Sequence, residues 1–248
     1  MKKIIVLALV LCFTNAQAKE IYATFTVYAK QGAKLAFNST GIIKELHVDI
    51  MSVVKKGEIL ATLASDDLIA TNNASKVTLK YASLDYERHK DLYQKKLIDK
   101  SMLDKYAMAY EAIKAKIEIE KTHFAKTILR APFDGVITKR MIEIGDVVSG
   151  QMIKTAFNIQ SEHARILIVQ MDQKYNRAVN IGDPFLYKVD GDDQQYQGEI
   201  YRIYPEANSN NRKISLQVIA KDLKVGLFGE GKIITSDDRH HLAKESQE

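Results

Sequence analysis

His240 and His241, close behind Asp237 and Asp238, set two imidazoles and two carboxylates within five residues, and such a set can hold a divalent metal loosely. It lies in a polar stretch, "DDRHHLAKESQE", that offers no element to fix ligand geometry, so it is read as a flexible tail and not as a metal site. The remaining histidines, His47, His89, His123 and His163, stand singly. Hydrolytic chemistry needs a nucleophile, a base and an orienting acid, and the chain contains no G-x-S-x-G, no HExxH and no paired-glycine phosphate loop. Cys12 is the only cysteine and falls within the leader described below; the rest of the chain then lacks thiol catalysis, disulfides and zinc-thiolate sites. The methionines do not cluster into a copper relay. No enzyme, no cofactor and no metal site is expected.

The elements around these residues begin with an export leader. Lys2 and Lys3 make a basic start, Ile4 to Phe13 is apolar throughout, and Ala16-Gln17-Ala18 has the small-x-small form of a cleavage site. Residues 1–18 are therefore expected to be a cleaved signal peptide, with the mature chain starting at Lys19. Removing Lys2 and Lys3 from the 36 basic residues leaves 34 against 31 acidic ones, a formal charge of +3. So weak a charge, with no aromatic residues interleaved among the basic ones, argues against nucleic acid. No later apolar stretch reaches the length of a membrane span.

From Ile21 to Phe37, and again from Gly41 to Leu63, short β-rich runs alternate. The period changes at Ser65, where Ser65 or Asp66 can cap a helix. Ala70, Ala74, Val77, Tyr81 and Leu84 then recur at alternating steps of four and three, which predicts a coiled-coil seam on a first helix. A second seam, Leu103, Tyr106, Tyr110, Ile113, Ile117 and Phe124, follows a break near Ile98 to Ser101, with Asp99 or Ser101 as its N-cap. No glycine or proline interrupts residues 58–131. Two helices of about 27 to 31 residues, each about 40 to 46 Å long, must then fold back antiparallel on each other. After Phe157 evenly spaced strands return, with one short helix expected within Asp172 to Val179, and these suggest a small antiparallel barrel.

The two β-rich stretches that flank the helical region echo each other. Gly41-Ile42-Ile43 lies over Gly135-Val136-Ile137, Ile50 over Ile144, and Val53-Val54 over Val147-Val148, each stretch closing at a glycine, Gly57 or Gly150. Two copies of one motif, each with half an apolar face, predict a single quasi-symmetric sandwich whose halves meet in space. The glycines Gly41, Gly57, Gly135, Gly145 and Gly150 are expected at its turns.

"LRAPFDGVITKR" followed by "EIGDVVSGQ" resembles the split lipoyl-like domain of periplasmic adaptors, the membrane fusion proteins of tripartite efflux pumps. The resemblance covers residues 19 to 236. It implies an α+β fold, mostly β: a split lipoyl-like β-sandwich with an inserted long antiparallel α-helical hairpin, followed by a small antiparallel β-barrel. The expected divisions are an N-terminal strand segment at 19–37, lipoyl-like halves at 38–64 and 128–156, the hairpin at 65–127, the barrel at 157–236 and a tail at 237–248. A lipoyl or biotin carrier would need its modifiable lysine at a tight turn joining the halves, which the hairpin displaces. The family's tip motif maps onto Arg88, Leu92, Leu103 and Asp104, with Asp99 where the family has serine. Met51-Ser52 stands where the family commonly has Gly-Asp, a pair that the second half keeps as Gly145-Asp146.

The implied partners are an inner-membrane transporter, an outer-membrane channel and further copies of the chain in a ring of three or six. The implied place is the periplasm, with association to the inner membrane through the transporter. A proton-driven transporter is favoured over an ATP-driven exporter or type I secretion system. A free-standing periplasmic binding or scaffold protein is the alternative of a different class.

Overall fold

A computed structural model describes residues 19–235; the leader and the His240-His241 group lie outside the described residues. In chain order the first strands are β1 (Lys19–Ala29), β2 (Gly32–Leu35), β3 (Gly41–Leu46), β4 (Val53–Val54) and β5 (Ile59–Leu63). Two helices follow, α1 (Asp66–Gln94) and α2 (Lys100–Ala125). Then come β6 (Ile128–Arg130), β7 (Gly135–Arg140), β8 (Val147–Val148), β9 (Phe157–Gln160) and β10 (Ala164–Asp172). The last strands are β11 (Pro184–Val189), β12 (Gln195–Asn208), β13 (Lys213–Lys221) and β14 (Phe228–Thr235). The described residues divide into two compact units, one of residues 31–162 and one of residues 19–30 with 163–235.

The second of these units is a closed six-stranded barrel in the order β1-β10-β13-β12-β11-β14. Strict alternation builds it: Ile21, Ala23, Phe25 and Val27 are buried while Glu20, Tyr22 and Tyr28 face out. Phe25 meets Phe185 and Tyr187 edge-on at 6.0 and 5.1 Å, and Gly231 on β14 leaves the room that the Phe185 ring occupies. Two boundaries differ from expectation. Residues 19–29, expected in a separate N-terminal segment, supply a barrel strand, and β9, expected in the barrel, joins β2 and β7 in the other unit. The helix expected within Asp172 to Val179 is a single 3-10 turn, Gln173–Tyr175.

The other unit is a sandwich of two four-stranded sheets, β2-β9-β7-β4 and β6-β5-β3-β8. The halves exchange strands reciprocally. Gly41 and Ile42 pair with Val148 and Val147, while Gly135 and Val136 pair with Val54 and Val53. The hydrogen bonds repeat the exchange: the Ile43 N–H donates to the Asp146 carbonyl at 2.9 Å, and that of Ile137 to the Ser52 carbonyl at 3.0 Å. The Gly145 N–H donates to Ile43, and that of Met51 to Ile137. Neither half closes alone, and together they bury one core that includes Ile43, Val54, Leu60, Leu63, Ile137, Val148 and Ile159.

Residue 51 occupies the site of Gly145 under this exchange, and the backbone shows it. Gly145 has φ +90°, and Met51 has φ +71° with its side chain 74% exposed. A side chain with a Cβ costs about 1 to 2 kcal/mol in that left-handed region. The exposed thioether offers no packing in return, so Met51→Gly is expected to raise stability by about 1 kcal/mol in urea unfolding, less a share lost to the freer unfolded chain. An unchanged or lowered midpoint would show that the strain is absent.

The helices have 29 and 26 residues and pack antiparallel. Ser75 Oγ donates to Glu120 at 2.8 Å, the rings of Tyr86 and Tyr110 stack at 5.5 Å, and His89 stacks on Tyr106. The side of α1 that meets α2 therefore runs Leu68, Asn72, Ser75, Leu79, Ala82, Tyr86 and His89, each buried or half-buried. This corrects the first predicted seam. Ala70, Ala74, Val77, Tyr81 and Leu84 all face solvent. On α2 the facing side is Leu103, Tyr106, Tyr110, Ile113 and Ile117, with Phe124 at its exposed end.

Candidate functional site

The turn between the helices gathers the residues that could meet a partner. Asp99 is the N-cap of α2, its carboxylate accepting from the Met102 N–H at 2.8 Å. Ser101 does not cap. The end of α1 closes when the Leu97 N–H donates to the Leu92 carbonyl at 2.9 Å and that of Lys96 to Tyr93. Lys96 takes φ +58° in the position where such helix ends favour glycine. The result is a fixed apex on which each side chain has a definite direction.

Leu92 and Leu103 are half-buried beneath this apex, while Arg88, Asp99 and Asp104 are exposed. Arg88 reaches back to Asp85 at 2.9 Å in an exposed ion pair that contributes little to stability. The apex itself is Leu97, 67% exposed, with Tyr93 and Met102 beside it. Sequence reading passed over Leu97, which belongs to neither seam; the signal available was its place in the break between the two helices, three residues past the end of α1. An exposed leucine on the turn, with the planar cation of Arg88 in the last two turns of α1, is of the kind that docks into a groove.

The glycines expected at the sandwich turns divide into two kinds. Gly57 and Gly145 have φ +85° and +90° and are true turn residues. Gly41 and Gly135 instead stand in β3 and β7, and Gly150 lies against the backbone of Asn38, where a Cβ would come within 2.7 Å of the carbonyl oxygen. Close approach to backbone, and not a turn, accounts for Gly135 and Gly150, whereas Gly41 meets only side-chain carbons of Leu63, at 3.1 and 3.3 Å.

Between the quasi-equivalent turns, Arg140 bridges Asp49 at 3.0 Å and Glu143 at 2.6 Å. The Asp49 carboxyl is held below its usual range, chiefly by the Ile50 N–H that donates to it, with Arg140 adding to the effect against partial desolvation. A depressed carboxyl pKa contributes stability above the ordinary carboxylate range, and that contribution is lost as pH falls through the depressed value. Asp49→Asn is therefore expected to lower the melting temperature at neutral pH, and the gap to the parent protein is expected to close in acid. A gap that persists in acid would mean that shape, not charge, carries the effect. Among the described residues no group of three or more His, Cys, Asp and Glu side chains is placed to hold a metal ion. Among them also no helix is long and apolar enough to cross a membrane.

A family model for the CzcB-like, barrel-sandwich hybrid domain matches residues 31–159. An uncharacterized protein of Haemophilus influenzae is 30% identical over 129 residues, 52% of this chain and 34% of the relative. The cobalt-zinc-cadmium resistance protein CzcB of Cupriavidus metallidurans is 27% identical over 151 residues, 53% of this chain and 28% of the relative. The chain thus aligns with about a third or less of the length of these curated relatives. A crystal structure of a MacA-MexA chimeric protein, which contains the Pseudomonas aeruginosa MexA α-hairpin domain, matches with a TM-score of 0.81. It shares 19% identity over 88% of this chain and 80% of that one, which shows a common fold.

Proposed function

Because the chain belongs to the CzcB-like barrel-sandwich hybrid family, we propose that it works as a periplasmic adaptor, exported by a cleaved signal peptide, that links an inner-membrane transporter to an outer-membrane channel. The observation that carries this reading is the reciprocal pairing of the sandwich halves around the inserted helices. Such a clamp holds both ends of a helical hairpin at one place, so the hairpin acts as a stiff arm. Its apex, with Arg88, Leu92, Leu97, Asp99, Leu103 and Asp104, would meet the channel. The barrel and the lipoyl-like sandwich would meet the transporter, which is proposed to be proton-driven. The work is mechanical, with no catalytic step and no cofactor.

One apex offers little surface, and a ring of three or six copies would multiply weak contacts into a stable joint. CzcB is named for cobalt, zinc and cadmium resistance, so heavy-metal export is the first cargo to test. Cysteines placed at Arg88 and Asp99, with a bifunctional crosslinker in intact cells, test the reading. An outer-membrane channel protein in the crosslinked product is the expected result. Recovery of cytoplasmic proteins alone would overturn it, and retention of a small molecule with no membrane partner would point to a binding protein.

A further inference from the structure

Where the helix pair joins the sandwich, between the first turns of α1 and the last turn of α2, it opens into a groove of about 270 Å³. The floor is apolar: Leu68 is half-buried, and Ile69 and Phe124 keep 43 and 36% of their surface exposed. The seam beside it is polar, since the Ser75 hydroxyl and the Asn72 amide donate to Glu120 at 2.8 and 3.4 Å. Contact through hydrogen bonds at this level leaves the neighbouring apolar groups only half covered.

The lining changes character turn by turn along α1. Leu68 and Ile69 are followed one turn on by Asn72 and Asn73, and one turn further by Lys76. Lys121 adds a second cation from α2, and because Ser75 is bonded to Glu120, Lys76 and Lys121 stand at nearly the same height. None of the residues that line the groove is acidic. Elsewhere on these helices Lys90, Lys95, Lys114 and Lys116 each have a carboxylate three or four residues away, whereas Lys76 makes no ion pair among the described residues. Its neighbour four residues on is Lys80, a like charge that disfavours the helix. Lys121 pairs with Glu118 at 2.6 Å, but both are exposed and the pair contributes little.

We propose that this groove binds one linear amphipathic anion, a medium-length hydrocarbon chain ending in a carboxylate, taken from solution as a single molecule. The chain lies on Leu68, Ile69 and Phe124, the Asn73 amide donates to the head group, and Lys76 with Lys121 meets its charge. From Ile69 to Lys76 the helix rises about 10 Å, which sets the length of the occupant. The volume falls just below the roughly 300 to 1,000 Å³ of sites for drug-sized ligands, so a two-tailed lipid does not fit. An uncharged chain would cover the floor and leave both lysines unmet, and a cationic one would be repelled. The inference is independent of the adaptor reading, since it concerns the root of the helix pair and not its apex.

Isothermal titration of decanoate, kept below the concentration at which it forms micelles, into the chain as recovered from cells tests this. One site per chain is expected, with decanol and decyltrimethylammonium each bound at least about tenfold more weakly. Lys76→Glu should weaken decanoate by at least about tenfold. The melting temperature of the free variant should stay unchanged or rise slightly, because the new carboxylate stands four residues before Lys80 and pairs with it. Ile69→Ser should weaken decanoate by a similar factor through the chain. The proposal is overturned by equal affinity for decanol, by undiminished binding in Lys76→Glu, by more than one site per chain, or by the absence of saturable binding. Uptake from anionic phospholipid vesicles in place of free decanoate would overturn it as well, by moving the ligand to a membrane.

Discussion

Gly135→Val is expected to unfold the sandwich, whereas Gly41→Ala at the quasi-equivalent position is expected to be tolerated. A Cβ at residue 135 would collide with the backbone carbonyl of Gln160 and lie 3.2 Å from the side chain of Ile159. The Gln160 carbonyl belongs to β9, which pairs with both β2 and β7, so it cannot withdraw without breaking the sheet. At residue 41 the nearest atoms are side-chain carbons of Leu63, at 3.1 and 3.3 Å, and a leucine can shift its rotamer. Overpacking against fixed backbone costs about 3 kcal/mol or more, against about 1 kcal/mol where a side chain can yield. Urea unfolding with limited proteolysis would separate the two, since the barrel unit should remain resistant in Gly135→Val. Equal losses at the two positions would show that the halves are not packed as described.

Leu97→Asp is expected to remove partner capture at the apex without loss of fold. Leu97 is 67% exposed, so its replacement leaves no cavity and its cost in stability is a few tenths of a kcal/mol. If it is an anchor in a partner's groove, placing a carboxylate there costs about 2 kcal/mol per contact, roughly 30-fold, and a ring of contacts compounds the loss. Arg88→Ala should act in the same direction, because its bond to Asp85 is exposed and contributes little to the fold. The measurement is crosslinked channel recovered per cell from a cysteine at residue 99, alongside the melting temperature. Undiminished recovery in Leu97→Asp would remove the apex from the proposed joint.

The repeated motif was the most legible part of the sequence, for a physical reason. Two stretches that share glycines and β-branched residues at the same spacing can complete each other's core, and Gly41 with Val148 and Gly135 with Val54 are the resulting pairs. The α2 seam was equally plain because its apolar residues have only one continuous stripe of comparable size. On α1 the internal side carries Asn72, Ser75 and His89, whose polar groups are met by Glu120 and by the Asp85 carbonyl. Hydrophobic spacing therefore selected the opposite face, which is the more apolar of the two. Alternation identified β1 as a strand but not its partners, since barrel closure joins Lys19–Ala29 to strands more than 130 residues away. The left-handed backbone of Met51 was signalled only by its alignment with Gly145, because nothing in a methionine itself asks for one. Leu97 was missed because an apex residue has no periodicity to betray it.

The ends of α1 and α2 are joined to neighbouring strands, Thr62 beside Ile128, with the Leu63 N–H donating to the Thr127 carbonyl at 2.9 Å. Everything beyond that staple can be lengthened or trimmed by matched heptads without disturbing the β framework. Each heptad taken from both helices would shorten the span by about 10 Å. In the proposed adaptor, reach would thus be written in the helices and attachment in the sheets.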